Sequence, residues 1–302
     1  MINKYIMYFE NELGYLDLLE YVLKNGSIIE TRNGKTISSF GLFLKFTDIQ
    51  KLPLLTTKKI YVKGVIEELL WFLKGSTNAK LLQDKNVHIW DGNSSREYLD
   101  NNGFSNYKEG ELGPIYGWQW RTFGKKYNEK GDENGIDQIK YVITELMKDN
   151  HSRRAVLTGW NPLQLSEMAL PPCHILYNFY KDNDGLSCLM TMRSSDLFLG
   201  LPFNIASTAI LTTIIAKLLH LNTKSIAIAL TDAHIYEEHV ECINTQLKRE
   251  IISCNTKLEI DLEVPNLDSS IEEKLDWINK LEYSNFKITD YDCHSALKTI
   301  MK

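Results

Sequence analysis

Apolar residues recur along this chain with two different periods, and each change of period marks an element. Tyr15, Leu18, Leu19 and Val22 fall at helical spacing, and Gly26 stands where that helix should stop. Phe40, Leu42, Leu44 and Phe46 instead alternate, as a half-buried strand does. VKGVIEELLWFLKG predicts a helix that stops at Gly75, and Ile136, Ile139, Ile143 and Leu146 mark another. RRAVLTGW reads as strand-like, as do the stretches around 174–180 and 187–193. A long apolar helix is expected from about Ile205 to Leu219, then a β-rich SIAIALT. A helix follows with Tyr236, Val240, Ile243 and Leu247 on one face. Ser270 and Glu273 form a capping box for a late helix. Two polar stretches, near 92–111 and 124–135, read as surface insertions. Strands and helices mix without strict alternation, so the fold class is α+β rather than a doubly wound sheet. No repeat, low-complexity tract or Pro/Ser-rich linker interrupts the pattern, and one domain over residues 1–302 is expected.

Composition narrows the class. With 43% hydrophobic and 24% charged residues, the chain can bury a real core. A net charge of −5 argues against a protein that coats nucleic acid, although a few local arginines can still bind a small anion. Cys173, Cys188, Cys242, Cys254 and Cys293 are widely spaced without a CxxC pair, poor material for a disulfide framework or a zinc site. The N-terminal MINKYIMYFENELGYLDLLEY carries acidic residues where a signal peptide needs an apolar stretch. No segment approaches the ~18 uninterrupted apolar residues of a membrane span. A cytoplasmic or nuclear location and no membrane or DNA partner are therefore expected.

Four groups of residues carry candidate chemistry. PPCH, Pro171 to His174, sets a cysteine beside an imidazole on a stiff approach, and a thiol becomes a nucleophile when cations or a base favour its thiolate. A buried structural cysteine is the plain alternative. Glu68 points about 120° away from the Lys63, Glu67 and Lys74 side of its helix, beside Phe72 and Val65. A carboxylate on an apolar face must be paired, hydrogen-bonded or raised in pKa, so it is a candidate acid/base group or one half of a salt bridge. Arg153, Arg154 and Arg193, the last followed by Ser194 and Asp196, offer forks and hydroxyls suited to phosphate. Asn204, in LFLGLPFNIAS, can pair with the O4 and N3–H of uracil or serve as a helix cap. His234 and Tyr236 add hydrogen-bonding groups. His234 and His239 lie five apart rather than the four of a helical metal pair, and no metal is expected.

Taken in order, PLLTTKK, EELLWFLKGSTNAK, HIWDGNSSREYLDNNGFS, GELGPIYGWQWR, SRRAVLTGWNP, MALPPCH, RSSDLFLGLPFNIAS and DAHIYEEH resemble thymidylate synthase, from Phe40 to His294. The WDGNSSREYLDNNGFS insertion is similar to the eukaryotic branch. The resemblance implies a mixed β-sheet packed with helices, a sheet face at a homodimer interface, and deoxyuridylate (dUMP) methylated by 5,10-methylenetetrahydrofolate. It implies that Cys173 adds to C6 of the pyrimidine, and that Glu68 runs a proton-moving water network with His174 and Asn204. Tyr116 would help remove the C5 proton. Arg193 and Ser194 would bind the 5′-phosphate, with Arg153 and Arg154 from the other subunit and Arg32 from the RNGKT loop. His234 and Tyr236 would hold the ribose 3′-hydroxyl. Asp196 would hold the pterin, with Ile89, Trp90, Asn93, Gly200 and Phe203 lining the folate slot.

Several positions depart from the family pattern. Met192 stands where a glutamine is usual, Thr208 replaces a tyrosine, Thr231 a glycine and Asn178 a glutamine. The loop between Arg32 and Phe40 is one residue short. The tail HSALKTIMK is one residue shorter than the family's and ends in Lys302. An imperfectly closed tail would admit water, so a nucleotide hydroxymethylase is the second reading. A catalytically weak nucleotide- or RNA-binding relative is the third.

Overall fold

The computed structural model describes residues 8–127, 135–148 and 151–300. In chain order the elements are β1 (Tyr8–Glu10), α1 (Asn11–Asn25), β2 (Ser27–Thr31), β3 (Gly34–Phe46), α2 (Val62–Leu73), α3 (Lys80–Gln83), α4 (Asp91–Ser94) and α5 (Arg96–Asn101). Then come α6 (Tyr116–Thr122), α7 (Gln138–Lys148), β4 (Val156–Thr158), β5 (His174–Asp182), β6 (Gly185–Asp196), α8 (Gly200–Leu218), β7 (Thr223–Tyr236), α9 (Val240–Gln246), β8 (Lys257–Ile260), α10 (Ile271–Lys280) and β9 (Phe286–Thr289). Among the described residues the main sheet has seven strands, ordered β1-β3-β7-β6-β5-β4 with β2 also on β3. The β1–β3 and β6–β7 pairs are parallel and the others antiparallel, a mixed sheet of the α+β kind.

The hydrophobic periods place this sheet. Tyr15, Leu18, Leu19 and Val22 are buried along α1, and Gly26 closes it by donating its N–H to the Val22 carbonyl. Helix α2 stops as the pattern requires: Gly75 takes φ +70°, a left-handed turn that a side chain would oppose. α8 is buried nearly throughout and packs on β6 and β7. It starts at Gly200, before the expected Ile205, so Asn204 lies in its second turn instead of capping it. At α10 both halves of the Ser270–Glu273 capping box form.

Burial alternates along the central strands. Met190 and Met192, Ile226, Ile228 and Leu230, and Tyr177 and Phe179 face the core. Their neighbours Leu189 and Thr191, Ala227 and Ala229, and Asn178 and Tyr180 leave the opposite face open.

Four expectations are corrected. Phe40 is 84% exposed although Leu42, Leu44 and Phe46 are buried, because Gly41 at φ +79° interrupts the β3–β7 ladder. The 92–111 stretch is not a loose insertion: α5 buries Leu99, and Phe104 and Tyr107 pack on the core. Tyr236 ends β7 instead of joining a helix, since the β6–β7 register continues through Asp196 and His234. Glu67, on the polar side of α2, is buried against Lys85 at 2.6 Å, while Lys74 on the same side is exposed. Of the 124–135 stretch, residues 128–134 lie outside the described part, as does Lys302.

Candidate active site

Four elements converge on one cavity of about 250 Å³: α2, the start of α6, the PPCH turn leading into β5, and the β6–α8 junction. It is lined by Glu68, Tyr116, Cys173, His174 and Asn204, together with Ser194 and Asp196. Ile89, Trp90, Asn93, Leu170, Leu199, Gly200 and Phe203 supply its other walls.

Cys173 is held from both sides. Its backbone N–H donates to the Tyr116 hydroxyl at 2.7 Å, and its carbonyl accepts from the Arg193 N–H at 2.9 Å. The Arg193 side chain donates through Nε to Pro172 O (2.7 Å) and through Nη2 to Pro171 O (2.8 Å). Nη2 also lies 3.8 Å from Cys173 Sγ. Burial holds the thiol above its ordinary pKa, against the downward pull of Arg193 and Tyr116. Tyr116 is itself pushed well above the usual tyrosine range by burial, so its hydroxyl stays protonated.

Glu68 receives the Trp90 indole N–H at 2.7 Å. Burial raises its carboxyl to about 7, with the indole pulling back. A carboxyl at that value exchanges protons at neutral pH, which an ordinary glutamate does not. Burial drives His174 the other way, to about 3, so the imidazole is neutral.

Asp196 behaves differently. Burial pushes it up, but His239 and the Phe198 N–H outweigh that and hold it below the usual carboxylate range. An ionised acceptor beneath the walls of Trp90, Leu199 and Phe203 suits a flat apolar ring carrying N–H donors, which is the chemistry of a pterin.

The remaining sites predicted from sequence lie around this cavity. Asp196 and His234 are register partners across β6 and β7, and Tyr236 stacks edge-on against His234 at 5.2 Å. Arg32 lines an adjoining cleft of about 590 Å³ that shares Ile89, Asn93 and Leu170 with the first. Arg153 and Arg154 are exposed just before β4 and do not line the cavity.

The departures are accommodated locally. Thr231 lies in β7 at the position both neighbouring ladders skip, without a positive φ, and its hydroxyl donates toward Met192 O (3.0 Å) and Arg193 O (2.7 Å), bracing the strand that carries Arg193. The Met192 side chain is buried in the cavity wall, where an apolar thioether fills the space. Asn178 lies on the open face, away from the cavity. The tail is tied down up to Ile300. Arg249 donates to Ser295 O, and the His239 Nε2 is 2.9 Å from Ile300 O.

Sequence reasoning missed Leu170 and Leu199, because wall residues are indistinguishable from core residues by hydropathy. It also missed Lys58, whose ammonium donates to Phe198 O over the Phe198 ring and is lowered to about 7 by burial. His239 was considered only as a metal ligand. Its Nδ1 lies 3.5 Å from Asp196 Oδ1, a carboxylate contact that a five-residue spacing could not reveal.

The thymidylate synthase family pattern matches residues 13–302. Over 99% of its length the chain is 42% identical to a bifunctional dihydrofolate reductase-thymidylate synthase of Leishmania major, of which it covers 57%. Over 82% of its length it is 48% identical to the protein of the same description from Paramecium tetraurelia, of which it covers 56%. The chain thus spans little more than half the length of these curated relatives. A pattern matched from residue 13 onward, on a fold that gathers its cysteine, carboxylate and asparagine in one cavity, places the chain in the thymidylate synthase family.

Proposed function

We propose that this chain converts dUMP to dTMP with 5,10-methylenetetrahydrofolate as donor of both carbon and hydride. The observation that carries the reading is the convergence of Cys173, Glu68, Tyr116, His174 and Asn204 on one cavity beside an ionised Asp196. Asn204 orients the uracil edge, and Cys173 Sγ forms a bond to C6, moving the ring electrons to C5 and O4. C5 then bonds to the folate methylene carbon, whose bond to N10 breaks as N10 takes a proton. Water held by the protonated Tyr116 hydroxyl takes the C5 proton, while Glu68 relays protons at O4 and to N5 of tetrahydrofolate as the bond between N5 and the methylene carbon breaks. Hydride from tetrahydrofolate completes the methyl group as the Cys173 bond to C6 breaks, leaving dihydrofolate.

Arg193 has two donors engaged on carbonyls, so Nη1 is its free edge for the 5′-phosphate, with Ser194 beside it. The chain acts as a homodimer through the open sheet face, whose Ala227, Ala229, Leu189 and Thr191 are small or apolar and partly exposed. Arg153 and Arg154, exposed near that face, complete the partner's phosphate site. Five free cysteines suit a reducing compartment, and the protein works in the cytoplasm.

The test is absorbance at 340 nm with dUMP and methylenetetrahydrofolate, the nucleotide product being read by mass. A rise with a methylated product supports the reading. A flat trace with a hydroxymethylated product, or with none, overturns it.

A further inference from the structure

His174 and Tyr177 lie three apart on β5, a spacing that sends side chains to opposite faces of a regular strand. Here both face the core, because the β5–β6 register shifts between His174 and Leu176. The shift brings the Tyr177 hydroxyl to 3.0 Å from His174 Nδ1. Both groups are buried, at 2% and 5% exposure. The imidazole is clamped between rings: Tyr116 lies 4.2 Å away centroid to centroid and Phe72 5.8 Å. Trp120 packs edge-on against Tyr177 at 5.6 Å.

A neutral imidazole carries one proton, and the partner of one nitrogen decides which nitrogen holds it. Burial keeps the Tyr177 phenol protonated and His174 neutral at physiological pH. Thr208, one of the departures from the family pattern, directs its hydroxyl toward the Met190 sulfur at 3.3 Å. A buried phenol proton needs an acceptor, and Nδ1 of the neutral imidazole stands 3.0 Å away, so Tyr177 donates to Nδ1 and the imidazole proton sits on Nε2. That nitrogen makes no hydrogen bond among the described residues and is not one of the buried polar atoms left without a partner, while His174 lines the cavity. Nε2 is therefore the edge presented to a ligand.

We infer that Tyr177 is a positioning residue that locks His174 as its Nε2–H tautomer, so that an N–H donor faces the cavity where charge develops on the pyrimidine O4. The inference rests on the proposed reaction for what the donor does, but not for which tautomer exists. In the opposite arrangement Nδ1–H donates to the Tyr177 oxygen, Tyr177 donates to Thr208 and Thr208 to the Met190 sulfur, which lies 3.3 Å from its hydroxyl. That leaves a bare acceptor facing the cavity, unsuited to a developing anion.

The experiment has two arms. In ligand-free protein labelled with ¹⁵N-histidine, two-bond ¹H–¹⁵N correlations report the tautomer of His174. The wild type is expected to show Nε2–H between pH 6 and 8, and Tyr177→Phe, which keeps the ring, a mixture. An Nδ1–H signal in the wild type overturns the inference, as does an unchanged tautomer in Tyr177→Phe. In the kinetic arm Tyr177→Phe should lower kcat about tenfold with the KM for dUMP within about twofold. In a His174→Asn background the same substitution should cost nothing further, since Tyr177 acts through the imidazole. An equal loss in both backgrounds means a packing role only and overturns the inference. Absence of turnover in the wild type would count against the reaction, while the tautomer is still decided by the first arm.

Discussion

Arg193 Nη2 lies 3.8 Å from Cys173 Sγ while two nitrogens of the same guanidinium grip Pro171 O and Pro172 O. One side chain thus fixes the approach to the nucleophile and opposes the burial that keeps it protonated. Arg193→Met removes both effects. The Cys173 pKa should rise further, and alkylation by iodoacetamide at pH 7 should slow on the order of tenfold for each pKa unit gained. Arg193→Lys keeps a charge without the planar fork and should fall between the two. The alkylation rate as a function of pH checks both variants.

Glu68 gives a pH dependence whose sign is fixed by its raised carboxyl. Its folded value is about 7 against an ordinary 4.5, so the native state binds the extra proton between those limits. The stability linked to this proton is full below pH 4.5 and is lost as pH rises through 7. Glu68→Gln should remove this slope, worth up to about 3 kcal/mol across the window. Urea midpoints of wild type and variant from pH 4.5 to 8 make the comparison. Trp90→Phe deletes the donor that pulls the carboxyl down, so the Glu68 midpoint in the pH–rate profile should move upward.

His239 joins the last described residue of the chain to the pterin-facing carboxylate, with Nε2 on Ile300 O and Nδ1 facing Asp196. His239→Leu should free the tail, with a local loss of about 1–2 kcal/mol in protection of residues near Ile300. Hydrogen exchange followed by mass spectrometry reads this directly. The same variant should raise the Asp196 pKa, since His239 is the principal group holding it down. A hydroxymethylated fraction should also appear among its products.

The open sheet face predicts the assembly. Ala229 on β7 and its register partner Thr191 on β6 both lie on that face, partly exposed. Ala229→Glu places a charge there without entering the core. Sedimentation should then show a monomer with native circular dichroism, and activity should fall by at least about 100-fold as the borrowed arginines are lost.

Much of this was legible in the sequence because the signals are local. The α1 and α2 stops at Gly26 and Gly75 and the Ser270 capping box depend on residues within a turn of each other. The five residues expected to do chemistry also meet, since the PPCH and FNIAS segments each sit at the mouth of an element entering the cavity. What escaped was set by tertiary geometry. Gly41 turns Phe40 outward, and the 92–111 stretch folds because Leu99 finds a core that its own polar neighbours do not announce. The shift in β5 that faces Tyr177 toward His174 depends on pairing with β6, which no window of sequence contains.

Trp90 is at once the donor to Glu68, a wall of the cavity, and a neighbour of Trp71 at 5.9 Å and Tyr116 at 6.1 Å. The site therefore carries its own optical reporter. A pteridine stacked on this indole would quench its emission, and Trp71, close enough to pass excitation to it, would be quenched as well. Ligand occupancy and the protonation of Glu68 would then both be visible as fluorescence of the unlabelled protein.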